Sequence, residues 1–153
     1  MKTRLFFGSL LFFIFMALSL QAQPPRNQVL DELEIFEYPE TVELLVHFNF
    51  PIRYLSHFPP QTGTELLLRL QPIDVAEVDR KALSGREAIS PPRPNLAGIT
   101  NAIYEGDHED GPVLVLRFLA EAHWQIEQSR DFRSIKIVID SPFPASPQEV
   151  KHE

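Results

Sequence analysis

Nine consecutive residues, Val42 to Phe50, alternate in character. Val42, Leu44, Val46, Phe48 and Phe50 point one way; Glu43, Leu45, His47 and Asn49 point the other. A period of two is the repeat of a strand, whose successive side chains leave opposite faces. Pro51 then stops or bends the run, because proline has no donor for a ladder. The alternation returns at Leu66–Leu70, Ile99–Tyr104, Val113–Leu119 and Ile135–Ile139. Shorter extended stretches are expected at Ile35–Glu37, Ile52–Leu55 and His123–Ile126. Turn residues separate these runs, as at Tyr38-Pro39-Glu40 and Gly106–Gly111. Such a series of strands predicts an all-β fold. Ile73 to Leu83 is the exception. Its weak helical spacing, with Asp74 as a cap, predicts one short helix that Ser84-Gly85 ends. Pro91, Pro92 and Pro94 exclude a regular element from the segment that follows.

The two ends do not belong to this pattern. Lys2 and Arg4 precede an apolar run from Leu5 to Leu20, which Gln21 and Ala22 close. These are the basic, apolar and small-residue regions of a secretory signal. Residues 1–22 are therefore expected to be a signal peptide cut after Ala22, with a retained N-terminal anchor as the second reading. Cleavage would leave no stable membrane span. The full chain carries 14 Lys plus Arg against 21 Asp plus Glu, a net −7; loss of Lys2 and Arg4 leaves 12 against 21, a net −9. Nucleic acid is a poor partner for so acidic a chain, because its binding rests on many phosphate contacts by Lys and Arg. The chain has no Cys. That excludes disulfides, thiolate zinc sites, a Cys nucleophile and a lipid-anchored Cys. A secreted domain without Cys fits a bacterial periplasm better than a eukaryotic extracellular space, where small domains are usually stapled by disulfides. Residues 141–153, with Pro142, Pro144 and Pro147, are expected to form a tail.

Between these ends the chain repeats itself. Leu44–Phe48 lies 70 positions before Leu114–Phe118, and Arg53-Tyr54 lies 70 positions before His123-Trp124. Ile35-Phe36-Glu37 matches Ile103-Tyr104-Glu105 at 68, and Leu66–Leu70 matches Ile135–Ile139 at 69. Every slip falls in an expected loop, as an old duplication would leave it. The predicted halves are residues 31–72 and 99–140, with residues 73–98 as connector. The expected architecture is a β-sandwich of two similar sheets, each burying its apolar face on the other.

In each half a strand, a break, a short aromatic segment and a further strand follow in order. With the signal and the duplication, this order resembles the AMIN domain over residues 31–140. The resemblance implies a periplasmic β-sandwich that binds peptidoglycan and so places itself or a partner in the cell envelope. An envelope protein bound through an exposed strand edge is the alternative partner.

Catalytic motifs are absent from the sequence: there is no Gly-x-Ser-x-Gly, phosphate loop, dinucleotide fingerprint or His-Glu-x-x-His. The five His are scattered singly, at 47, 57, 108, 123 and 152. No metal or cofactor is expected, and neither is an enzyme. The candidate ligand-binding residues are Arg53, Tyr54, His123 and Trp124, at matched places in the two halves. Tyr and Trp offer rings that stack on sugars or anchor a protein, and Arg53 and His123 can meet carboxylates. The same four positions also suit plain packing. In that case both rings are buried. A Pro break lifts the following segment out of a central strand, so the Arg53-Tyr54 segment is expected to be the more exposed of the two.

Overall fold

The computed structural model describes residues 27–91 and 94–140, so the expected signal and the C-terminal tail lie outside the described residues. Eight strands form: β1 (Leu30–Glu37), β2 (Thr41–Phe48), β3 (Ile52–Phe58), β4 (Thr62–Pro72), β5 (Arg86–Ile89), β6 (Ile99–Glu105), β7 (Val113–Gln128) and β8 (Ser134–Asp140). Among the described residues the fold is all-β apart from one helical segment, a 3-10 turn at Glu77–Asp79 that runs into α1 (Arg80–Leu83). That segment stands in the connector where a short helix was expected.

Every strand pairing is antiparallel. One group runs β1-β2-β8 and ends on the last part of β7. The other runs β3-β4, the first part of β7, then β6 and β5. Each group therefore takes strands from both halves of the sequence. β2 pairs with β8, as β4 pairs with β7, so the central ladders cross between the halves. The order β1-β2-β8-β7 in one group corresponds to β6-β7-β4-β3 in the other. Alternate residues of both groups meet in one buried cluster that includes Leu44, Val46, Leu66, Leu68, Leu116 and Ile137. This common core is the main source of stability, since burial of each such side chain is worth about 1.5–3 kcal/mol.

Two features depart from the sequence reading. The segments Val113–Leu119 and His123–Ile126 are parts of a single 16-residue strand. β7 leaves one group and joins the other near Leu119–Glu121, whose side chains are exposed. The second departure is β5, four residues with no apolar alternation. Pairing holds it: Ala88 stands opposite Ile103, and Arg86 meets Glu105 at 3.0 Å. The Glu87 carboxylate accepts the backbone N–H groups of Val29 (2.7 Å) and Leu30 (2.8 Å), fastening β5 to the start of β1.

The helical segment is fastened too. Tyr104 is fully buried, and its hydroxyl donates to Leu83 O at 2.7 Å. Only glycine fits at 106, because a Cβ there would lie 1.7 Å from Leu83 O.

Phe48 and Phe118 are 3% and 6% exposed. Replacing either by Ala should lower stability by about 3–5 kcal/mol in a urea melt. Tyr104 gives a pH test. Burial, then the nearby Glu87 charge, holds its phenol well above the usual range. Above about pH 10 the unfolded chain loses this proton while the folded chain keeps it, so stability falls as pH rises. The slope from this group approaches about 1.4 kcal/mol per pH unit. Melts of Tyr104→Phe between pH 9 and 11 should show a flatter decline than the parent.

Candidate functional site

β3 carries the first candidate pair. Tyr54 stands opposite Leu70 and His57 opposite Leu68, so one residue of β3 between them has no counterpart on β4. In a regular strand, residues three apart face opposite sides; the bulge turns Tyr54 and His57 to the same side. The two rings lie 5.9 Å apart. His57 Nε2–H donates to Pro60 O at 2.9 Å. A carbonyl can only accept, so Nδ1 is left to accept the Tyr54 hydroxyl, with which it is paired. Burial pushes the Tyr54 phenol up.

The backbone edge of β3 is partly closed. Gln128 Nε2 donates to Ile52 O at 2.8 Å, and Tyr54 N–H donates to Gln128 Oε1 at 2.6 Å. A partner strand would make the same two bonds. Beyond this point Leu55 and Phe58 are 49% and 69% exposed. A shallow groove of about 350 Å³ runs past Phe58, Pro59, Gly63 and Leu67. Arg53 is exposed. Its Nη1 reaches Gln71 Oε1 at 3.4 Å, and its guanidinium carbon lies 5.9 Å from the centre of the Phe132 ring. Arg86, Arg117 and Lys136 each meet a carboxylate within 3.0 Å. Among the described residues Arg53 has no such partner.

The second candidate pair is placed differently. Trp124 is only 2% exposed and stacks on Phe118 at 5.8 Å. Its Nε1–H donates to Pro59 O at 3.3 Å. A Cβ on Gly63 would come within 3.2 Å of the Trp124 ring, so the glycine makes room for it. Trp124 therefore belongs to the core, and the expectation that it offers a ring face to a ligand is corrected. His123 is half-buried, with Nδ1 2.8 Å from Asp140 Oδ2. Arg53-Tyr54 is the more exposed segment, as the Pro51 break suggested.

The difference has a visible cause. The turn after β3 lies over Trp124, whose own N–H donates to Gln61 O at 3.0 Å. The turn after β7 lies instead beside Arg53, with Ile52 N–H donating to Phe132 O at 2.7 Å. Each turn leans on the other half's aromatic segment, and only the first covers its ring. The two candidate pairs do not form one surface: Arg53 stands beside the β7–β8 turn, whereas Trp124 and His123 lie at the other end of that hairpin, against Ile139 and Asp140. Sequence reasoning passed over His57, Leu55, Phe58 and Phe132. Their placement depends on the bulge and on a turn from the other half, neither of which has a local signal.

Among the described residues no group of three or more His, Asp or Glu is placed to hold a metal ion. No helix among them is long and apolar enough to cross a membrane.

Trp124→Ala should lower stability by about 3–5 kcal/mol. Tyr54→Phe removes one hydrogen bond and keeps the ring, so the loss should be about 1 kcal/mol. Paired urea melts give both values, and equal losses would contradict this assignment of core and rim.

The chain matches no family model, no curated protein and no solved structure.

Proposed function

We propose that this chain is a non-enzymatic, AMIN-like envelope domain, exported to the periplasm, that binds peptidoglycan through the exposed corner of β3. One observation carries the reading. Arg53, with no carboxylate partner among the described residues, stands beside half-buried Tyr54 and exposed Leu55 on the same strand. A guanidinium next to apolar surface suits the stem peptides of peptidoglycan, which combine small apolar side chains with carboxylates. The strand order common to the two groups supports an origin by duplication, and with it the resemblance to the AMIN domain. The apolar start of the chain supports export.

The exposure of Leu55 and Phe58 favours a second reading, in which the same corner docks on an envelope protein. Gln128 already occupies part of the β3 edge, so side chains rather than an added strand would carry most of that contact.

Purified sacculi distinguish the two. The domain should co-sediment with them, and Arg53→Ala should reduce the bound fraction about tenfold. His123→Ala should leave it close to the parent value. Recovery equal to that of an inert acidic protein, together with a specific protein crosslink at Phe58, would replace the first reading by the second.

A further inference from the structure

The turn between β7 and β8 is built in an expensive way. Phe132 has φ 58°, in the left-handed region that glycine or asparagine normally fills. The turn closes around it: Phe132 N–H donates to Ser129 O at 3.2 Å, and Ser129 N–H to Ser134 O at 3.1 Å. A bulky ring at such a position is disfavoured unless its surroundings hold it there. Here the surroundings do. Ile52 N–H donates to Phe132 O (2.7 Å), Phe48 N–H to Arg133 O (2.9 Å), and Arg133 Nη1 to Asn49 O (2.9 Å). These bonds press the turn onto the junction between β2 and β3. The Phe132 ring comes to rest 5.9 Å from the Arg53 guanidinium.

The charges at this corner are unusual for the chain. Three cations, Arg53, Arg130 and Arg133, lie on the turn or against it, and none has a carboxylate partner in a salt bridge among the described residues. The one acid of the turn is Asp131. Its Oδ1 faces inward, accepting the Ser129 hydroxyl at 2.6 Å and Arg133 N–H at 3.0 Å. Its full charge leaves a local excess of two positive charges in a protein whose net charge is −7. Among the described residues the Arg53 guanidinium donates one hydrogen bond, to a neutral amide at 3.4 Å, which a ligand oxygen can displace.

We infer that Arg53, Phe132 and Arg133 form a seat for the carboxylate of a peptide ligand, with Arg130 adding to the attractive field. The guanidinium fork takes a planar carboxylate through two parallel bonds, and the ring beneath fixes the plane of the fork. The seat rests on the reading of the β3 corner as the binding site, and it adds the β7–β8 turn as the second half of that site. It also gives the strained conformation of Phe132 a purpose: a glycine would relax the turn but leave Arg53 without its platform.

The probe is an acetylated Ala-Glu-Ala peptide with both carboxylates free, titrated into the full domain. Its doubly amidated form and inorganic phosphate serve as comparisons. The free acid should bind at least tenfold more tightly than the amidated form, and its affinity should fall as salt is raised. Arg53→Ala and Arg133→Ala should each weaken it about tenfold. Arg130→Ala, an exposed change that leaves the turn's own bonds intact, should weaken it severalfold. Phe132→Asn should keep or raise the melting temperature and still weaken the peptide. Parent affinity in the Arg130, Arg133 and Phe132 variants would overturn the seat, as would equal binding of acid and amide. Phosphate binding as tightly as the peptide would overturn the carboxylate assignment. The same variants on sacculi separate the two claims. Sacculi held with no effect of the turn variants would leave the proposed function standing without this seat. Peptide binding that depends on Arg133, with no retention on sacculi, would leave the seat standing without peptidoglycan.

Discussion

Strand β7 is the member on which the rest of the molecule depends. Its first residues, Val113–Arg117, pair with β4 on one side and β6 on the other. Its last residues, Trp124–Gln128, pair with β8. Between them the strand bends over the core without losing its parity. Leu114, Leu116 and Phe118 are buried before the bend, and Ala122 and Trp124 after it. The same face therefore looks inward in both groups, and one strand supplies apolar surface to both. A break at the bend would separate the two ladders that the core needs.

The crossed pairing also decides where the molecule is open. β2 and β8 are interior to one group, and β4, the first part of β7 and β6 to the other, so the margins are β1, β3, β5 and the last part of β7. Exposed edges invite unwanted pairing, and proteins blunt them with bulges, charge or prolines. β3 has a bulge near Leu55, the Gln128 side chain across Ile52 and Tyr54, and Pro59 and Pro60 just beyond its end. β1 has a register shift between Leu30 and Leu33, at the acidic pair Asp31-Glu32. The devices that blunt β3 also bring Tyr54 and His57 to one side and leave Leu55 and Phe58 exposed. Edge protection and the candidate site are one piece of architecture.

Much of the fold was legible because alternation is a local property. Val42 to Phe50 announces β2, and Ile135 to Ile139 announces β8, without any knowledge of their partners. The short helix could be placed because its spacing differs from its neighbours'. Elements that exist only through partners were not legible. Four residues at Arg86–Ile89 have no pattern of their own; Glu105, Ile103 and the N–H groups of Val29 and Leu30 make them a strand. In the sequence β7 looks like two pieces because Glu121 and Ala122 resemble an interruption, whereas the strand runs through both. The site was half legible for a related reason. Tyr54 and Trp124 occupy matched positions, and an aromatic residue in a matched strand has the same sequence signature whether it packs or binds. The turn that covers Trp124 decides between the two, and it belongs to the other half of the chain.

The crossed ladders have a consequence for how the chain reaches this structure. β8, the last of the described strands, sits between β2 and β7 and is the inner neighbour of both. Until residues 134–140 are present, β2 has only β1 beside it, and the last part of β7 has no ladder. Neither half can close alone, and contacts between distant parts of a chain form slowly because the intervening loop must first be ordered. A nascent chain of this kind stays open until its final strand arrives. Completion of the described fold therefore waits on β8, which closes both ladders of its group at once.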